Sequence, residues 1–243
     1  SAAHQDKDAT FRGLKALFKT PYFYIAIAMF ALNYYNSLSV TSIGKYYAES
    51  VLHDEYAFSL FGIAPMFTMA IGLLLTPLFV KKFSKKNTLV LALIFVLIGN
   101  IVGSSFPYAF WAGFTAVMIK GFGSAVVMSQ LFTLAPDLVR YIEEKDGVRV
   151  EGLAASANSF GCKVGSGLGS AMVLWSLSWC HYDANASAQS ENVIFTLITL
   201  YWWVPTLLSA LLLVLACFWN IAKKTAALQA AKVSQKSGEE IKD

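Results

Sequence analysis

A chain of 243 residues that is 56% hydrophobic, only 14% charged and of mean hydropathy +0.55 is too apolar for a water-soluble domain. Its formal net charge of +4 is no nucleic-acid signal, because the basic residues sit in connections between apolar runs. Three cysteines in or beside apolar runs, three scattered histidines and no HExxH, CxxC, GxSxG or P-loop pattern imply neither a disulfide framework nor a metal or catalytic centre, so an enzyme is the least favoured class.

Residues 1–21 are polar, with Lys7, Arg12, Lys15 and Lys19, and lack the apolar core of a signal peptide. Beginning on Ser1, they read as a linker within a longer protein. Six apolar runs follow, each near the ~20 residues that a bilayer requires: about 22–47, 57–80, 87–106, 108–136, 152–181 and 193–220. The expected fold class is therefore an all-α membrane protein with a six-helix transmembrane bundle over 22–220. A basic tail occupies 221–243; its alanines suit a short surface helix, and its last ten residues read as disordered.

Sixteen of the nineteen lysines and arginines fall in alternate connections: the start, the 81–86 loop, the 140–149 loop and the tail. The positive-inside rule then places both chain ends in the cytoplasm, which an even number of spans allows. The three remaining basic residues, Lys45, Lys120 and Lys163, lie inside expected spans. Lys45 is near a span end and is expected to snorkel. Lys120 and Lys163 are near mid-span, and no aspartate or glutamate lies in any span interior. A deep ammonium requires an anion, so its partner is expected to be a solute or a carboxylate from outside this sequence.

Span one carries Asn33, Tyr34, Tyr35, Asn36, Ser37, Ser39, Thr41 and Ser42. Two readings stand: hydrogen bonds between helices, or the wall of a cavity whose amides and hydroxyls, with Asn33, Tyr35 and Asn36 foremost, bind a polyhydroxylated solute. Pro65, Gly72 and Pro77 permit bends and close packing in span two. Lys120-Gly121-Phe122-Gly123 follows no strand, so its glycines read as a closely packed point in a helix, not a nucleotide loop. Trp202 and Trp203 lie near mid-span, where packing is expected.

Span five is the most informative. At about 100° per residue, Ser156, Ser159, Lys163, Ser166 and Ser170 share one narrow face, while Ala157, Gly161, Gly165 and Gly169 repeat every fourth residue on the opposite side. The glycine side admits close approach of another helix. Lys163 lies about 18 Å along the helix, too deep to escape easily, and its polar side should face a water-filled path or a partner.

The run Ala135-Pro-Asp137-Leu-Val-Arg140-Tyr141-Ile-Glu143, followed by Arg149-Val-Glu151 and Ser159-Phe160-Gly161-Cys162-Lys163-Val-Gly165, resembles the glycoside–pentoside–hexuronide:cation symporter family of the major facilitator superfamily. The Leu14–Pro21 entry, the Lys81–Lys86 loop and the outer loop near 184–192 look similar too. The family's second aspartate in the first run is Arg140 here and its glycine is Ile142; Lys120 matches nothing in the family pattern. The resemblance implies helices seven to twelve of a twelve-helix transporter, with residues 1–21 as the cytoplasmic linker from an N-terminal half. It also implies sugar or glycoside transport coupled to Na⁺ or H⁺ across the inner membrane, with the cation site mainly in that other half and no further cofactor. Lys163 would be this half's charge in the central pocket, with Asn33, Tyr35, Asn36, Lys120 and Ser159 as further candidate solute contacts. Asp137, Arg149 and Glu151 would join a cytoplasmic charge network that latches the halves.

A second reading is an organic-anion or hexuronide carrier in which Lys120 and Lys163 hold the anion. A third, a self-contained six-span channel or receptor, lacks the repeated polar ring that pores usually show.

Overall fold

The computed structural model describes residues 13–148, 150–184, 186 and 188–240. Arg149, the first twelve residues, part of the 184–192 loop, the last three residues and the side chain of Ala157 lie outside the described set. Among the described residues the chain is helical throughout: α1 (Gly13–Lys19), α2 (Pro21–Ser50), α3 (Glu55–Ser105), α4 (Phe110–Asp146), α5 (Glu151–Trp179), α6 (Glu191–Ile198), a π-helical turn (Thr199–Trp203), α7 (Val204–Phe218) and α8 (Ile221–Glu240).

Glu55–Ser105, Phe110–Asp146 and the rod from Glu191 to Ser234 are long and apolar enough to cross a membrane. The pair α1 and α2, bent by 76°, makes a fourth when counted as one span. α5 is not among them, because its serines, glycines and Lys163 lower its hydropathy.

The helices outrun the apolar stretches that mark them. α4 continues ten residues past 136 through Asp137, Arg140, Glu143 and Glu144, since backbone hydrogen bonding persists in water where apolar burial has ended. The connection expected at 81–86 narrows to one non-helical residue, Ser84, at φ 69° and ψ 160°. Lysines are good helix formers, so the helix runs up to that residue and resumes beyond it. The tail is helical to Glu240 where the sequence reads as disordered.

Close backbone approach fixes the packing. A Cβ at Gly169 would lie 2.6 Å from the Tyr35 carbonyl oxygen, one at Gly161 would lie 3.0 Å from the Ile27 carbonyl oxygen, and one at Gly165 would collide with the Ala31 carbonyl. The glycine side of α5 is thus laid directly on α2, as the four-residue spacing predicts. α4 is held in the same way between the two halves of α3. A Cβ at Gly121 would lie 2.6 Å from Thr68 Oγ1, and one at Gly123 2.7 Å from the Ala92 carbonyl oxygen.

Two apolar clusters fill the bundle. One gathers Leu17, Met29, Phe30, Leu93, Leu131 and Leu138 toward the end that holds α1 and α8. The other gathers Ile43, Tyr47, Phe61, Leu197, Tyr201 and Trp202. Trp202 is fully buried and its Nε1 donates to the Tyr47 hydroxyl at 2.9 Å, while that hydroxyl donates to the Pro107 carbonyl. Trp203 is about half exposed, because successive helical residues point ~100° apart. The π turn has a local cause. Pro205 lacks an N–H, and the Val204 N–H bonds five residues back to the Thr199 carbonyl.

Two stability outcomes follow. Gly165→Val should destabilise by about 1–3 kcal/mol through forced overpacking, read as a lowered Tm in detergent. Ser84→Gly should raise stability by about 1 kcal/mol, because a positive φ at this ψ strains any side chain and suits glycine; an unchanged or lower Tm would contradict it.

Candidate functional site

With α5 laid on α2 by its glycines, the residues on its other side are displayed outward. Lys163 and Ser159 are exposed, and Ser166 and Ser170 are half-buried. Lys163 has no ion-pair partner among the described residues. One turn before it, Ser159 and Asn158 line a groove of about 610 Å³ between α4 and α5. Phe132, Pro136 and Val139 form its apolar wall, and Arg140, Glu143 and Glu151 its charged mouth.

α2 joins the two walls. Asn33 Nδ2 donates to Met128 Sδ on α4 at 3.6 Å, and the Tyr35 backbone meets Gly169 on α5. Asn36 and Ser39, one turn apart, are buried, and both Asn36 Oδ1 and Ser39 Oγ have no hydrogen-bond partner. Buried polar atoms without partners are costly, which makes these two candidates to meet a polar solute. Ser37, next to Asn36 in the chain, is exposed.

Lys120 is half-buried and also lacks an ionic partner among the described residues. Its backbone and Cβ abut Gly99 on the second half of α3; a Cβ at Gly99 would lie 3.0 Å from Lys120 N. It therefore stands on the α3 side of α4 and does not line the groove with Ser159. Lys45 pairs with Glu49 at 3.4 Å and is largely exposed, as expected of a residue near a helix end.

The charged residues at the other end divide into two sets. Asp137 accepts from Lys85 Nζ at 2.7 Å, so its partner belongs to this chain. Arg149 lies outside the described residues, and Glu151 lines the groove. The sequence does not single out the second set. Gln229 Nε2 and Lys232 Nζ donate to the two carboxylate oxygens of Glu144 at 2.8 and 3.0 Å, and Arg140 Nη2 donates to Gln229 Oε1 at 3.3 Å. Lys86 Nζ donates to the Cys217 carbonyl and Asn220 Oδ1, both at 2.6 Å. Gln229 and Lys232, three residues apart, lie on one side of α8. Among the described residues, no group of three or more His, Cys, Asp or Glu side chains is placed to hold a metal ion.

Long apolar helices, a groove between two of them and an unpaired ammonium one turn beyond it on α5 are features of a helical membrane protein. The chain belongs to the family described as MFS/sugar transport protein, whose model matches residues 1–223. A protein of Escherichia coli strain K12 named as a sulfoquinovose importer is 31% identical over 206 residues, covering 82% of this chain and 43% of the relative. The isoprimeverose transporter of Lactiplantibacillus pentosus is 27% identical over 192 residues, 75% of this chain and 38% of its own. The glucuronide carrier protein homolog of Escherichia coli strain K12 is 28% identical over 201 residues, 78% and 42%. The chain thus spans about two fifths of the length of these relatives.

The bonds from Gln229, and then from Lys232, hold the Glu144 carboxyl below its ordinary value of 4.5. A depressed carboxylate supports docking of α8 above that value and loses this contribution as pH falls through the lowered one. Spin labels at Ala227 and Lys145 should show one narrow distance at pH 7 that broadens in acid. Glu144→Ala should broaden it already at pH 7.

Proposed function

We propose that this chain is the C-terminal six-helix half of a secondary transporter that moves a sugar or glycoside together with Na⁺ or H⁺ by alternating access. Ser84 divides α3 into two spans, and with α2, α4, α5 and the α6–α7 rod this makes six. Both ends then lie in the cytoplasm of a cell whose inner membrane holds the protein. The carrying observation is Lys163: an ammonium midway along α5, turned away from the packed glycine side and unpaired within the described chain. Its neutralising charge comes from the N-terminal half or from the solute, at a midplane site between two bundles. Asn33, Tyr35, Asn36 and Ser159 supply candidate hydrogen bonds to a polyhydroxylated solute. The coupling cation is assigned mainly to the other half.

The groove mouth, with Arg140, Glu143 and Glu151, suits breakable ion pairs to the other half that hold one state closed. Asp137 contributes indirectly, by fixing α4 to Lys85. A second reading, an acidic sugar as solute, is favoured by relatives named for a sulfonated sugar and a glucuronide. It draws on Lys163; Lys120, on the α3 side of α4, does not line the groove.

In full-length protein reconstituted in vesicles, Lys163→Ala should lower cation-driven sugar uptake at least about tenfold, ~1.4 kcal/mol, while leaving the folded yield intact. Uptake within twofold of wild type would sink the proposal. Lys163→Ala should cost more for a sulfonated or uronic sugar than for a neutral glycoside, whereas Lys120→Ala should spare both; equal loss of the two sugars in Lys163→Ala would remove the acidic-sugar reading.

A further inference from the structure

At the end that holds α1, the chain turns through 76° at Thr20, laying α1 across the start of α2. Thr20 Oγ1 donates to the Ala16 carbonyl at 2.8 Å, and the Tyr24 hydroxyl donates to the Phe18 carbonyl at 3.1 Å, which fixes that turn. Leu17 is buried in the core, but Leu14 and Phe18 are left exposed, 37% and 53%. On the helix these apolar residues share one arc, and Lys15 and Lys19 share the adjoining one. Both lysines are exposed and have no ion pair among the described residues.

Leu14, Phe18, Tyr24, Ile27 and Phe160 wall a cavity of about 550 Å³ between α1, α2 and α5. Its polar wall atoms are already committed: the Tyr24 hydroxyl to Phe18, and Ser156 Oγ to the Gly152 carbonyl at 2.8 Å. Such a wall offers a sugar no free hydroxyl donor. A short amphipathic helix lying across a span, apolar on one side with lysines beside it, is the arrangement of an interfacial helix. Lysines on the cytoplasmic side face anionic headgroups.

We propose that this cavity seats an acyl chain of an anionic phospholipid of the cytoplasmic leaflet, with Lys15 and Lys19 holding its headgroup. The site rests on the membrane orientation proposed above and is independent of which solute is carried.

Thermal unfolding of the full-length protein in detergent tests it, with dioleoylphosphatidylglycerol, dioleoylphosphatidylcholine or glycerol 3-phosphate added. Phosphatidylglycerol should raise Tm by about 3 °C or more, phosphatidylcholine by less than half of that, and glycerol 3-phosphate not at all. The double variant Lys15→Gln, Lys19→Gln should lose the difference between the two lipids. Equal shifts for the two lipids, a shift from glycerol 3-phosphate alone, or an undiminished preference in the double variant would overturn the proposal. A second readout needs no lysine change: the fluorescence of Phe160→Trp should be quenched more by chain-brominated phosphatidylglycerol than by chain-brominated phosphatidylcholine. High-yield disulfide formation between Phe160→Cys and a cysteine placed in the other half would show protein, not lipid, over the cavity and would also overturn it. A reporter that places the chain ends outside the cell would refute the orientation itself, a failure separable from these.

Discussion

Two helices reach backbone contact only where neither interposes a side chain, and the contact of α5 with α2 is made in that way. Gly161, Gly165 and Gly169 meet the carbonyls of Ile27, Ala31 and Tyr35. Three such contacts along one side fix the rotation of α5 about its own axis. Once that rotation is fixed, the opposite side cannot be hidden, so Ser159 and Lys163 must face outward. The glycines hold no ligand, yet they decide which residues are available to one. The same constraint places Lys120. Gly99 admits the α4 backbone, and the lysine on that side of α4 is committed to the α3 interface.

At the end that carries α8 the ties are electrostatic. Lys85 reaches Asp137 on α4, and Lys86 closes the carbonyl end of α7. Glu144 gathers Gln229 and Lys232 from α8. These pairs are partly or wholly exposed, and each is individually weak. Their effect is geometric: two successive lysines of one break reach α4 and the end of α7, so the ends of three elements are referred to one point. Ser84 makes this possible, since its positive φ turns the helix within a single residue and sends Lys85 and Lys86 to different partners. Strain at one backbone position is exchanged for a short, well-placed connection.

The sequence made legible whatever depends on period and composition. The four-residue glycine repeat gave the packed side of α5, and the GxG of α4 gave a close contact. Helix ends were less legible, because hydropathy stops at 136 whereas the hydrogen-bonded backbone of α4 continues to Asp146. The tail helix was expected from its alanines, but its hold on Glu144 was missed: Gln229 and Lys232 look like ordinary solvated residues until a partner 85 residues or more away in the chain is brought to them. The site was only half legible. Residue type marked Asn36 and Lys163 as out of place in lipid, but the pairing of Asp137 with Lys85 is a tertiary fact that no local spacing encodes.

The polar groups of α2 and α5 share one property that packing alone would have removed. Asn36 Oδ1 and Ser39 Oγ are buried without partners, and Lys163 carries a charge with none in the described chain. A bundle that served only as a membrane anchor would be more stable with leucine or alanine at each of these positions. On the proposed reading, retaining them costs stability in this bundle alone and gains something only when a second body supplies the missing hydrogen-bond donor or anion. Because α2 touches both α4 and α5, a solute bonded to its amides, as proposed, would be felt by both helices. An occupied and a closed state of the same helices would then differ in how those few polar atoms are satisfied, and that difference would let a carrier make its opening depend on its load.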